Sequence, residues 1–428
     1  MGKGIARRIF KGDKVIWTIF FLLCSLSLVE VFSALSRQTY ETHNYWQPIT
    51  KHAMFLIAGV GVVWFIHNMK ISWIKRFSYL TYGAGVALLI WALIGGETYT
   101  DSARWVNLLG VRFQPLEIAK MGVVMTTALV LAKSQTEEGT DLKAMKKILW
   151  LCAVPCFFIL LENLSTVAIV LATVFLMMLI GRVYWKHLLK LVGTGALIAI
   201  TFISLIMLTP DKINENAPSW ERKIHSKALT WKNRILDVFA TSKVVKPKDY
   251  KISGNEQRTY ACIAIASSGL IGNGPGNSVQ RDFIPHAYSD FIYAIIIEEL
   301  GLIGGFIVIM LYLTILYRCG VIASKCEDPY PAFLIMGIGM IITVQALLHM
   351  TISVGGPVTG QPLPLVSQGG TSILINCIYI GIILSISRYV KRLSKNNETE
   401  NNTAGTDNEN PAISDIENIN RVNYEEGV

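Results

Sequence analysis

Charge is scarce in this sequence, and what there is comes in short clusters. Asp, Glu, Lys and Arg make up 16% of the 428 residues and hydrophobic residues 52%. The mean hydropathy of +0.44 lies outside the range of soluble globular domains. A disulfide framework is also lacking: the seven cysteines are odd in number, and Cys24, Cys152, Cys156 and Cys377 lie inside apolar runs, where they read as small packing hydrophobes. Cys319 and Cys326 share a loop without His at ligand spacing, which does not indicate a zinc site. No P-loop pattern is present. The net charge of +9 sits in groups between apolar runs, which marks topology and not a nucleic-acid footprint.

What is present is a succession of apolar runs of membrane-spanning length, near residues 15–35, 52–69, 78–95, 117–133, 148–162, 165–185, 188–209, 288–317, 332–352 and 369–390. They predict an all-α polytopic membrane protein of about ten transmembrane helices. The first run is too long for a signal-peptide core and reads as a retained helix. Lys3, Arg7, Arg8, Lys11 and Lys14 precede the first span, and further Lys and Arg groups follow the second, fourth, sixth, eighth and tenth. Both termini are therefore expected in the cytoplasm. The division expected is a cytoplasmic segment 1–14, a membrane domain 15–392 and a disordered acidic cytoplasmic tail 393–428. One large external loop, 210–287, joins helices 7 and 8. Between 210 and 285 it carries 12 Lys+Arg against 7 Asp+Glu: either it attracts anionic headgroups, or it escapes the topology rule as long loops do.

Charged groups at the ends or interior of spans need compensation, and four segments carry them or the polar residues that would serve them. The first, S-A-R-W-V-N-L-L-G-V-R-F-Q-P-L-E-I-A-K (102–120), holds Arg104, Trp105, Gln114, Glu117 and Lys120. Pro115 suits a first helical turn, and Glu117 and Lys120 are i,i+3 neighbours able to pair. That pair is either functional or a local helix tether. The second runs from S-S-G-L-I-G-N-G-P-G-N to D-F-I-Y-A-I-I-I-E-E-L-G (267–301). Here Asp290 opens the eighth span, as a reactive carboxylate or a helix cap. Glu298 and Glu299 lie two turns deeper, where so much negative charge in one helix implies either a polar cavity or cationic partners, or else structural pairing within the bundle. The third, G-G-P-V-T-G-Q-P-L-P-L-V-S-Q-G-G-T-S (355–372), holds Thr359, Ser367, Gly369 and Gly370. It cannot be helical throughout and is expected to line a cavity. The fourth, E-N-L-S-T (162–166), reads as a structural turn.

The topology gathers all four segments at the external boundary. A transporter would more typically concentrate polar groups at the midplane. ATP is generally absent outside the cytoplasm, so synthesis there requires a substrate that is already activated, such as a lipid-linked diphosphate sugar.

On these residues the chain resembles the shape, elongation, division and sporulation family of cell-wall glycosyltransferases. The family patterns R-W, Q-P-S-E-x-x-K, S/T-D-F-I-x-A-x-x-x-E-E-L-G and P-x-T-G-x-P-L-P-x-x-S-x-G-G appear in order at Arg104 to Lys120, Ser289 to Gly301 and Pro357 to Gly370. The resemblance covers about Asp13 to Lys391, and the F-K-G-D-K-V-I-W opening favours the FtsW branch over RodA. It implies an inverting glycosyltransferase that polymerises lipid II at the outer leaflet, releasing undecaprenyl diphosphate. It implies Asp290 as general base, Lys120 and Arg104 stabilising diphosphate charge, and Glu117 orienting Lys120. Trp105, Gln114, Thr359, Ser367, Gly369 and Gly370 are the substrate-binding candidates. Implied partners are a class B penicillin-binding protein and other division proteins, with localisation to the bacterial cytoplasmic membrane at the septum. Leu116 replaces a usual Ser, His286 and Tyr288 a frequent Glu and His, and Asn163 and Ser165 a frequent Asp and Gly.

Two rivals remain, a lipid II flippase and a noncatalytic scaffold of the division machinery. No cofactor is firmly implied. A Mg²⁺ or Mn²⁺ ion beside a diphosphate is compatible with the external carboxylates, though no ligand spacing establishes one.

Overall fold

The computed structural model describes residues 10–35, 46–95, 97–100, 103–108, 111–137, 139–210, 218–240, 256–284, 287–356 and 360–408. Ten long helices build the membrane domain among them. The first seven are α1 (Lys14–Ala34), α2 (Trp46–Asn68), α3 (Ile71–Gly95), α4 (Pro115–Lys133), α5 (Leu142–Leu160), α6 (Leu164–Ile180) and α7 (Trp185–Met207). The loop expected between helices 7 and 8 contains two helices, α8 (Ser219–Ala240) and α9 (Glu256–Ser267). The one-turn α10 (Ala287–Asp290) leads into α11 (Ile292–Ala323), α12 (Pro329–Ser353) and α13 (Thr371–Asn408). Eight of the ten are long and apolar enough to cross a membrane. Of the other two, α6 has 17 residues, and α5 opens with Lys143, Lys146 and Lys147.

Local chemistry sets the helix starts. Asp13 caps α1, accepting from the Val15 and Ile16 amides at 2.9 and 3.1 Å. Asn163 caps α6, accepting from Ser165 and Thr166 at 3.0 and 3.4 Å, which agrees with a structural turn at 162–166. Pro115 occupies the first turn of α4, where its missing N–H has no helical partner to lose. The helix is apolar nearly all round and is accordingly buried at the centre of the bundle. It packs against α3 closely enough that a Cβ on Gly122 would stand 2.6 Å from the Tyr82 Cα, the close approach that small residues permit in membranes. Elsewhere α2 packs on α13 and α11 on α12. By contrast α7 buries only Leu188 and Ile206 and leaves Leu197, Ile198 and Ile200 exposed, as a lipid-facing helix would.

Three features depart from the sequence reading. Three short strands, β1 (Glu97–Thr100), β2 (Ala103–Leu108) and β3 (Val111–Phe113), form an antiparallel meander. Its strands are too short to show a clear alternation in sequence. The eighth span is broken at Gly301, whose φ of 73° and ψ of −179° are not helical. Finally, α13 continues to Asn408, so the expected disordered tail is helical from 393 to 408. No Gly or Pro interrupts 393–403, and extending a helix already nucleated in the bundle costs little. Residues 409–428 lie outside the described residues.

Candidate active site

The first turn of α4 and the middle of α12 meet at a buried ion pair. Lys120 Nζ donates to Glu117 Oε1 at 2.7 Å and to Gln345 Oε1 at 2.9 Å. Lys120 is 0% and Glu117 2% exposed. Breaking such a pair from one side leaves an uncompensated buried charge. The pair is therefore not a surface tether of α4. Gln345 turns its Nε2 the other way and donates to the Pro362 carbonyl at 3.0 Å, which ties the Lys–Glu pair to the 360–370 segment.

That segment is irregular and buried, as expected of a cavity wall, with Gln361, Leu363, Leu365, Val366 and Ser367 all within 2% of full burial. Irregular backbone at membrane depth must find partners within the protein, and here side chains supply them. His349 Nδ1 lies 2.7 Å from the Gln361 carbonyl, and Tyr312 donates to the Pro364 carbonyl at 2.5 Å. Ser27 donates to the Val366 carbonyl at 2.8 Å and also contacts His52 at 2.9 Å. Gln361 donates to Thr166 Oγ1 at 2.8 Å, which brings the fourth segment to the same wall.

Asp290 ends the one-turn helix α10 and is half-buried. Its position is set by its predecessors: Ser367 Oγ donates to the Ser289 carbonyl at 2.7 Å, and the Gln368 amide to the Tyr288 carbonyl at 3.0 Å. Ser367 also accepts from the Leu363 amide at 2.8 Å. A Cβ built on Gly360 would lie 3.9 Å from Asp290 Oδ2. One wall thus anchors the α10 backbone beside Asp290 and, through Gln345, the Lys120–Glu117 pair. Gly369 and Gly370 lead into α13 beside this wall, where the Thr371 and Ser372 hydroxyls are buried without a protein partner among the described residues.

Of the remaining candidates, Gln114 stands at the start of α4 and makes no side-chain cap. Arg104 and Trp105 occupy adjacent positions of β2, but their side chains lie outside the described residues, as does Thr359 entirely. Gln345 was not singled out in the sequence. Its signal is a lone amide within the apolar run at 332–352, the kind of intramembrane polar residue that marks a partner. The Mg²⁺ or Mn²⁺ considered above finds no set of three His, Cys, Asp or Glu side chains among the described residues.

Of the two readings of Glu298 and Glu299, pairing within the bundle is the one their contacts fit. Glu298 accepts from Ser278 Oγ at 2.5 Å and from the Val279 amide at 2.9 Å. Glu299 accepts from the Gly276 amide at 2.7 Å and from Ser33, and pairs with Arg281 at 3.6 Å. Both carboxylates are buried and clamp the 276–281 loop.

The comparisons with known proteins cover the same stretch. Residues 13–392 match the family described as "Cell cycle protein", FTSW_RODA_SPOVE. The chain belongs to this family. The relative named "Probable peptidoglycan glycosyltransferase FtsW" from Coxiella burnetii is 28% identical over 88% of this chain and 98% of its own length. The protein of that name from Bacillus subtilis is 29% identical over 86% and 89%. Among solved structures, a chain of a peptidoglycan synthase complex that coordinates polymerization and crosslinking superposes with a TM-score of 0.69 at 22% identity, covering 89% of this chain and 98% of that one. The rod shape determining protein RodA of Thermus thermophilus superposes at 0.58 with 20% identity, covering 88% and 97%. At these identities the structures establish a shared polytopic membrane fold. Family membership and the span pattern make this a multi-pass protein of the cytoplasmic membrane, most like the FtsW branch.

Proposed function

We propose that this chain is a peptidoglycan glycosyltransferase that polymerises lipid II into glycan strands at the outer leaflet, for septal wall synthesis. The observation that carries the reading is the shared wall: residues 360–370 bind the Ser289 carbonyl beside Asp290 and, through Gln345, the buried Lys120–Glu117 pair. The names of the relatives support it. In the proposed reaction the acceptor sugar hydroxyl loses its proton to Asp290, its oxygen bonds to the anomeric carbon of the donor, and the bond to the diphosphate oxygen breaks. Undecaprenyl diphosphate leaves and the configuration inverts. A base must reach the proton it takes, and the anchoring of Ser289 limits where the Asp290 carboxylate can go.

Lys120 holds two of its three donor directions in Glu117 and Gln345. Its proposed role is a fixed positive charge behind the wall, which in a water-poor cleft favours the departing diphosphate more than it would in bulk water. Arg104 is proposed as the direct diphosphate ligand. Trp105, Gln114, Thr359, Ser367, Gly369 and Gly370 are proposed to border the substrate. A class B penicillin-binding protein and other division proteins are the proposed partners at the septum.

The test is glycan-strand formation from purified lipid II by detergent-solubilised protein with its cognate transpeptidase, comparing wild type with Asp290→Asn at equal folded concentration. Polymer from wild type alone is expected. Polymer from both removes Asp290 as the base, and none from either shifts weight to the flippase or scaffold.

A further inference from the structure

By the charge-derived topology, the cytoplasmic end of the bundle carries a cavity of about 500 Å³ where the α2–α3 turn, the end of α4, the start of α12 and the last membrane turns of α13 converge. Five cationic side chains line it, Lys70, Lys75, Lys133, Arg388 and Arg392, against one carboxylate, Asp328. Asp328 accepts a hydrogen bond from Tyr389 at 2.6 Å. Arg388 is committed to structure, donating to the Asn68 and Met69 carbonyls at 3.0 and 2.9 Å. The other four cations pair with no carboxylate among the described residues. The Lys75 ammonium lies 5.7 Å from the Tyr330 ring centre and that of Lys133 lies 5.8 Å from Tyr79.

The topology rule accounts for basic residues in each cytoplasmic loop, but not for their convergence on one concavity. Arg388 and Arg392 are like-charged i,i+4 neighbours, which repel on a helix, and the lysines add to a repulsion that an anion between them would relieve. The surroundings indicate where the anion comes from. Trp73, Phe77 and Tyr79 stand exposed on the adjoining part of α3, with Trp73 and Phe77 stacked at 6.1 Å and Arg76 over Trp73 at 5.0 Å. Such aromatic and basic belts sit at headgroup depth, and basic pockets between helices on this side accept anionic headgroups. We infer that this cavity binds the phosphodiester headgroup of an anionic phospholipid of the cytoplasmic leaflet.

Native mass spectrometry of the full-length protein, from nanodiscs of phosphatidylcholine with and without phosphatidylglycerol, reads the retained lipid directly. Lys70→Gln/Lys75→Gln/Arg392→Gln is expected to bind phosphatidylglycerol on the order of a hundredfold more weakly, at about fivefold per charge removed. Lys143→Gln/Lys146→Gln/Lys147→Gln, an equal charge loss at the start of α5, is expected to retain it. Equal loss in both variants would reduce the effect to general surface charge and overturn the site. Inorganic phosphate that displaces phosphatidylglycerol from wild type at millimolar concentration would identify a soluble anion and overturn the lipid assignment. Should the triple variant not purify, Arg392→Gln alone, at an exposed position, is read for its fivefold share.

Discussion

Gly272 and Gly301 meet backbone to backbone: a Cβ on Gly272 would stand 2.3 Å from the Gly301 nitrogen, and one on Gly301 2.2 Å from the Leu270 carbonyl oxygen. Around this contact the loop takes over the hydrogen bonds that the break in α11 releases. The Asn273 and Gly274 amides donate to the Glu298 and Glu299 carbonyls at 3.0 and 2.8 Å, and the Leu302 and Ile303 amides donate to the Gly269 and Leu270 carbonyls at 3.2 and 3.3 Å. The break therefore leaves these carbonyl and amide groups paired at membrane depth.

Replacement of either glycine is expected to cost more than an ordinary helix substitution. Gly301 has φ of 73° and ψ of −179°, a region nearly closed to residues with a Cβ, where strain alone amounts to about 1–3 kcal/mol. The backbone clash adds to it. Gly301→Ala should lower the thermal unfolding midpoint in detergent by several degrees and loosen the loop that carries Arg281. An unchanged midpoint would mean that the loop and helix do not lock in this way.

Gln345 separates a positional role from a structural one. Gln345→Leu removes the acceptor of a Lys120 proton and the donor to Pro362, an unsatisfied buried group costing about 1–3 kcal/mol. The folded fraction should fall modestly, while polymerisation per folded molecule drops about 10- to 100-fold, with Gln345→Glu unable to restore both bonds. Activity per folded molecule that matches wild type would reduce Gln345 to a packing residue. The ion pair itself follows the same logic. Glu117→Gln and Lys120→Met singly should each destabilise by about 3–5 kcal/mol, whereas the double variant recovers most of the stability and none of the activity. Recovery of both would assign the pair to folding alone.

Acid should release the start of α1. Burial pushes the Asp13 carboxyl up, but the Arg318 hydrogen bond and charge, with the Ile16 and Val15 amides, outweigh it and hold the pKa below the ordinary carboxylate value. A carboxylate lowered in the folded state contributes stability fully present above its unfolded value of about 3.9 and lost as pH falls through the lower folded value. The unfolding midpoint should therefore be insensitive to Asp13 from neutrality to about pH 5 and decline below about pH 4. Asp13→Asn, which can still cap α1 but loses the charge paired with Arg318, should be less stable at neutral pH by roughly 1 kcal/mol and lack that decline. A wild-type advantage that persists unchanged to about pH 3 would contradict the assignment.

The long apolar helices and the four polar segments were legible in the sequence because each is local. A membrane helix must satisfy its own backbone along some 20 residues, so its apolar length and flanking charge can be read in a short window, as at Lys14–Ala34 or Pro329–Ser353. The pairing of Glu117 with Lys120 was legible for the same reason, since three residues of helix bring them together. The break at Gly301, the meander at 97–113 and the role of Gln345 were decided only by tertiary structure. A broken helix or an irregular wall is tolerated at membrane depth only where another segment completes its hydrogen bonds. For the break in α11 that segment is the Gly269–Gly274 loop upstream of it, and for the wall at 361–366 it is Gln345 and His349 of the preceding helix together with the distant Ser27 and Tyr312. Sequence proximity does not show which of these groups turn toward one another, so which polar residues line the wall beside Asp290 was decided by packing.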